Sequence, residues 1–90
     1  MLSNPTYLKA LNPEKNVNRW YSLRMGQDLF GEWLLITQWG RNGFKGQYKE
    51  HIYTEEPFAQ KEYQRILKKR LNSHKRIGCA YAVIEDKIIP

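Results

Sequence analysis

An α+β domain, an antiparallel sheet of about five strands with one long α-helix packed on one face, is the fold class that the sequence predicts. Three observations carry it. Short alternating segments are separated by Gly, Pro and Asn, one long segment repeats its apolar residues at helical spacing, and 90 residues leave room for a single core. No repeat, low-complexity tract or linker divides the chain. Residues 1–90 are therefore expected to form one domain, with its core between 6 and 85.

TYLKAL (6–11), bracketed by Pro5 and Pro13, reads as a first edge strand. RWYSLRM (19–25) alternates, with Tyr21, Leu23 and Met25 on one side and Trp20, Ser22 and Arg24 on the other. EWLLITQW (32–39) is apolar on both sides, as a central strand should be. QYKEHIY (47–53) is a more polar strand and AYAVIE (80–85) a short apolar one. The helix is expected to open after Thr54, a candidate N-cap, with Glu55 and Glu56 in its first turn and Pro57 where a missing N–H costs nothing. Ala59, Tyr63, Ile66, Leu67 and Leu71 then fall on one side, the expected core face, and Lys61, Arg65 and Lys68 lie opposite. The helix should fade near 72–74, before Gly78. Trp20 and Trp33 are expected in the core, as is Phe44 if the hairpin loop folds back.

The stretch WGRNGFKG (39–46) has a glycine at every third position. Asn42-Gly43 is the strongest short hairpin signal, because a type I′ turn needs positive φ at both central residues. Gly40 and Gly46 flank the pair and leave the backbone unshielded where another chain or a ligand can come close. On an extended strand Trp39 and Arg41 share a face, so an indole and a guanidinium stand together near a hairpin tip. That pairing suits a sugar or base next to a phosphate, with Lys45 and Lys49 extending the positive field. The alternatives are plain: a simple turn, a core tryptophan, an arginine bonded to strand-end carbonyls and solubilising lysines.

Charge is concentrated. Between Lys61 and Arg76 there are seven basic residues against Glu62 alone, so this segment's +6 equals the net charge of the whole chain. Such asymmetry points to a polyanion such as nucleic acid, although it also describes a solvated helix face. An anionic membrane surface fits less well, because the helix's apolar side is explained by packing on the sheet. The single cysteine, Cys79, excludes an intrachain disulfide, and neither His51 nor His74 has further ligands at metal spacing, so no metal or cofactor is expected. The longest apolar run is WLLI (33–36), and MLSNPTYLKA lacks the charged and apolar regions of a leader. A soluble, cytoplasmic protein is the expectation. Scattered carboxylates, serines without His–acid support and the lack of a Walker loop or dinucleotide fingerprint argue against an enzyme.

Trp39-Gly40-Arg41, followed by Gly43, Gly46 and Gln47, resembles the WGR domain signature W-G-R-x-G-x-x-G-Q. Asn18, Trp20 and Tyr21 are similar to that family's entry into its second strand. Trp33 falls where a strand aromatic is usual, and Ala59, Tyr63 and Leu67 follow the helix pattern. Gly78 and Tyr81 resemble the closing segment, so the likeness runs from Tyr7 to Val83. The resemblance implies a relation to the WGR domain of poly(ADP-ribose) polymerases, which touches the terminus of broken DNA, and to short bacterial proteins that carry the module alone. It assigns Trp39 to sugar near a 5′ end and Arg41 to the DNA-bound, interdomain arrangement. Nothing in these residues supplies a catalytic ADP-ribosyltransferase domain or a zinc finger. The candidate nucleic-acid-binding residues are therefore Trp39, Arg41, Lys45, Lys49 and Asn18, with a secondary basic patch of Lys68, Lys69, Lys75 and Arg76. The leading expectation is a non-catalytic module for DNA ends or nicks. Its rival is an adaptor in which the same exposed hairpin tip docks on a partner protein domain and the cations keep the chain soluble.

Overall fold

A computed structural model describes residues 5–73 and 80–84 of the chain. The elements are β1 (Thr6–Asn12), a 3-10 turn (Pro13–Lys15), β2 (Val17–Gln27), β3 (Trp33–Arg41), β4 (Gln47–Tyr53), α1 (Glu56–Leu71) and β5 (Ala82–Ile84). The five strands form one antiparallel sheet in the order β4-β3-β2-β1-β5, so the first four are a meander and β5 returns beside β1. This is the α+β architecture expected. The register of the last strand is Tyr7 opposite Ile84, Leu8 opposite Val83 and Lys9 opposite Ala82.

α1 lies across β2, β3 and β4 on one face of the sheet. Period-two alternation delivers Leu8 and Ala10 from β1, Tyr21 and Leu23 from β2 and Leu35 from β3 to that face. The helix answers with Ile66, and Tyr63 and Leu67 pack against the cluster. Ala59 is also fully buried. A hydrogen bond between the Thr6 hydroxyl and the Tyr63 phenol ties the helix to the first strand. At the sheet end remote from the β3–β4 hairpin, Asp28 closes the β2–β3 loop by accepting at Oδ1 from the Phe30 and Glu32 amides, both at 2.9 Å. Gly31, at φ 83°, completes that turn, which presents Leu29 and Phe30 to solvent.

Several details differ from the sequence reading. The N-cap position belongs to Glu55, not Thr54, and it makes no side-chain capping bond, so Pro57 and the acidic Glu56 in the first turn serve the helix start instead. Leu71 is on the last turn, 38% exposed, because the helix there has run past the apolar part of the sheet. Phe44, in the β3–β4 turn, is 67% exposed. Trp20 and Trp33 are half-buried. The helix ends with Asn72 as its cap, and His74, Gly78 and Cys79 lie outside the described residues, as does Glu85 at the expected end of the last strand.

Leu35, with no exposed surface, should cost ~2–5 kcal/mol when cut to alanine. Leu71→Ala, at an exposed position, should change stability by no more than ~0.5 kcal/mol. Urea unfolding of the two variants checks this, and equal losses would mean that the helix packs on a different face.

Candidate functional site

The β3–β4 hairpin is built on a close crossing of its own arms. A Cβ at Gly46 would lie 2.0 Å from the Trp39 carbonyl oxygen and 2.6 Å from Trp20 Cζ2, and one at Gly40 would lie 2.9 Å from Gly46 Cα and 3.2 Å from Trp20 Nε1. Both glycines are therefore demanded by this chain's own backbone and by the Trp20 ring laid across them. The unshielded backbone read from the sequence is filled from within. The turn also differs from the type I′ expectation. Gly43 alone has positive φ (88°), Asn42 does not, and the Phe44 amide donates to the Arg41 carbonyl at 3.0 Å. That is the signature of a type II turn with glycine at its third position. Asn42 instead donates its amide to the Asn18 carbonyl at 2.8 Å, tying the tip back to β2.

Pairing of Tyr21 with Trp39 and of Arg19 with Arg41 puts all four side chains on the helix-bearing face, at the hairpin end of the sheet. Trp39 is half-buried and stacked on Tyr21, with ring centroids 6.0 Å apart and planes 18° from parallel. Tyr81 meets Tyr21 edge-on at 6.2 Å. From the last turn of α1, the Arg70 guanidinium sits over the Tyr21 ring, its Cζ 4.3 Å from the centroid. The Arg70 carbonyl accepts from the amides of Ser73 and Tyr81, which carries the chain from the helix to the last strand. Arg70 Nε is buried without a hydrogen-bond partner.

Arg41 is held from the β1–β2 turn. Its Nη1 donates to the Asn16 carbonyl at 3.2 Å and its Nη2 to Asn16 Oδ1 at 2.8 Å, while the side chain stays exposed. Asn16 can accept both because it adopts the left-handed region (φ 55°), which Asn tolerates. The arginine is thus fixed by a neighbouring turn, in part through the carbonyl that immediately precedes β2, which is the kind of contact the plainer alternative expected. Arg19, Arg41 and Arg70 together with Tyr21, Trp39, Gly40 and Tyr81 line a cleft of about 430 Å³. Among the described residues three guanidiniums and no carboxylate line it, a composition that suits an anion above an aromatic floor.

The expected residues do not all meet there. Trp39 and Arg41 line the cleft. Lys49, opposite Thr37 on β4, shares its face of the sheet, and Lys45 is in the exposed turn. Asn18 is on β2 next to Arg19 and so faces the other side, with Oδ1 buried and unpartnered. Lys68 and Lys69 are exposed on the last helical turn, and Lys75 and Arg76 lie outside the described residues. Arg65 is committed elsewhere: its Nε and Nη2 donate to Glu62 at 2.8 and 2.6 Å, and this bond holds the Glu62 carboxyl below its ordinary range. The sequence reading missed Arg19 and Arg70 as site residues. Extending the Tyr21–Leu23–Met25 alternation back by two gives Arg19, and Arg70 follows Ile66 by four and Tyr63 by seven, on the inward side of the helix. Among the described residues, no three His, Cys, Asp or Glu side chains converge as metal ligands. No helix among them is long and apolar enough to cross a membrane.

The WGR domain model matches residues 4–78, which takes in the hairpin, the cleft strands and the helix. The chain belongs to the WGR domain family. A WGR domain alone is not a catalytic domain, and in polymerase-like proteins it is a module of the nucleic-acid-binding type. The chain is also similar to "Uncharacterized protein y4dW" of Sinorhizobium fredii, 33% identical over 72 residues. That match covers 78% of this chain and 35% of the relative, so this WGR chain spans about a third of the relative's length.

Gly46→Ala should disrupt the hairpin and lower the melting temperature, because nothing relieves a 2.0 Å contact with backbone oxygen except parting the strands. Gly43→Ala, with open space but φ 88°, should cost only about 1 kcal/mol. Thermal unfolding of the two variants distinguishes them.

Proposed function

We propose that this WGR domain, one unit over 1–90 with its core at 6–85, is a non-catalytic cytoplasmic module that binds nucleic acid and recognises DNA ends or nicks through phosphate and sugar contacts. The cleft of Arg19, Arg41 and Arg70 around the Tyr21–Trp39 stack is the observation that carries this reading. A chain terminus offers a sugar face and a phosphate that are not enclosed by the next base pair. Trp39 is backed by Tyr21, so a sugar pressed against it meets a surface that does not give way. Arg41 is pre-positioned by Asn16 and loses little side-chain freedom on meeting a phosphate. Arg70 brings a third guanidinium to the cleft, held over the Tyr21 ring. Lys45, Lys49, Lys68 and Lys69 add positive charge to the hairpin and to the helix end that supplies Arg70, and Lys75 and Arg76 continue that run in the sequence. Contacts of this kind are blind to base sequence.

A second reading rests on the other end of the sheet. Leu29 is 100% exposed, on a loop that Asp28 holds in one shape. A rigid apolar tip is what a protein-interaction adaptor would present to a partner domain.

Affinity for a labelled duplex with a 5′-phosphorylated end should exceed that for a closed circle and fall steeply with salt. Trp39→Ala should cost ~1–3 kcal/mol of binding, and Arg70→Gln should weaken it too. Arg65→Gln should change little, since that cation is paired with Glu62 off the cleft. Equal affinity for ends and circles, or equal effects of Trp39→Ala and Arg65→Gln, contradicts end recognition. For the adaptor reading, a partner captured from nuclease-treated extract should be lost on replacing Leu29 and Phe30 with serine. A partner that persists rules that tip out.

A further inference from the structure

The sheet face opposite α1 carries a second cleft, on the other side of the same hairpin. It has a volume of about 510 Å³, and its lining includes Tyr7, Lys9, Trp20, Gln38, Asn42 and Phe44. The Trp20 ring lies across Gly40 and Gly46, where no Cβ keeps it off the backbone, and it lines the cleft. Phe44 stands at the turn above it, 67% exposed, and Tyr7 joins from β1. Rings supplied by two strands and a turn leave flat apolar surface facing water, where another occupant is needed to cover it.

The lining indicates what that occupant is. Gln38 and Asn42 bring side-chain amides, each with a donor pair and an acceptor, which match the edges of a nucleobase. Lys9 brings a cation, and among the described residues no carboxylate lines the cleft. An aliphatic surface would use the rings alone and leave the amides and the lysine without partners. An unpaired nucleotide uses all three: base on ring, base edge on amide, phosphate on ammonium. The cleft lies within the size range of pockets that hold small organic ligands.

We infer that the helix-free sheet face is a binding site for single-stranded nucleic acid, in which a base stacks against Trp20 and Phe44 and the adjoining phosphate meets Lys9. The site goes beyond end recognition and does not depend on it, because a bare oligonucleotide with no duplex supplies every group it needs. Its position also adds something. The two clefts lie back to back across the Gly40–Gly46 crossing, so a duplex terminus in the arginine cleft can lead its unpaired overhang over the tip into the second one.

Fluorescence anisotropy with short labelled oligothymidine, its ribo-uridine counterpart, a blunt 5′-phosphorylated duplex and the same duplex with a single-stranded overhang tests this. Phe44→Ala and Lys9→Gln are the variants, since both residues lie outside the core cluster, and melting curves confirm their folding. Phe44→Ala should weaken oligonucleotide binding by about five-fold or more, with blunt-duplex affinity unchanged. Lys9→Gln should weaken it and flatten its salt dependence. Wild type should prefer the overhang duplex to the blunt one, and Phe44→Ala should erase the preference. Comparing the deoxy- and ribo-oligonucleotides tells which polymer the face favours. Oligonucleotide affinities that both variants leave at the wild-type value overturn the site, whatever the blunt duplex does. So does a Phe44→Ala loss that is equal for oligonucleotide and blunt duplex, because that would place Phe44 in end binding instead.

Discussion

The near-contact of two backbone strands at Gly40 and Gly46 is the constraint on which this end of the molecule depends. With 2.0 Å between the Trp39 carbonyl oxygen and a Cβ that Gly46 does not have, the arms close only if that position is bare. Closure sets where β3 ends and β4 begins. It also leaves a flat bed into which the Trp20 ring fits. Once the ring is seated, alternation does the rest: Trp39 and Arg41 turn to the helix side, and Trp20 stays on the other. Two aromatic surfaces are held back to back, separated by the thickness of one sheet.

Around that crossing, three remote segments supply the charge. Arg41 comes from the hairpin and is steered by Asn16 of the β1–β2 turn. Arg19 comes from the start of β2, and Arg70 from the end of the helix. Each alone is an ordinary surface cation, worth little. Gathering them costs electrostatic repulsion, which the Tyr21 ring offsets in part through the cation–π contact with Arg70 and the Asn16 carbonyl through Arg41. Arg70 joins structure to site: its guanidinium covers Tyr21 while its carbonyl guides the chain toward Tyr81. A site assembled this way holds its cations in place before any ligand arrives. That distinguishes it from the exposed lysines of the helix.

Much of this was legible in the sequence. The strands from TYLKAL to QYKEHIY were readable from alternation, and the helix from Ala59, Tyr63, Ile66 and Leu67. The hairpin was readable from Asn42-Gly43, and the pairing of Trp39 with Arg41 from parity alone. What escaped depends on tertiary placement. Thr54 looked like the cap, but a helix start with Pro57 and Glu56 has less need of one. Phe44 and Leu71 are apolar, and hydrophobicity by itself does not tell how far an element overshoots its sheet. The type of the turn turned on Asn42 donating to Asn18, a contact between strands that no local pattern encodes. Arg19 and Arg70 had the right periodicity, yet charge marked them as surface. Only the stack on Tyr21 makes an inward-phased arginine sensible.

In the proposed mode of binding, nucleic acid ends meet the face bearing Trp39, Arg41 and Arg70. The chain has three tryptophans, so 1H–15N spectra resolve three indole signals, from Trp20, Trp33 and Trp39. Titration with a blunt hairpin duplex carrying a 5′-phosphate is expected to move the Trp39 indole and the Nε–H signals of Arg41 and Arg70 together, at one affinity, with Trp33 still. Shifts confined to the amides of 61–69, with Trp39 unmoved, would contradict the account, because they would show a duplex resting on the helix's charge and no end entering the cleft.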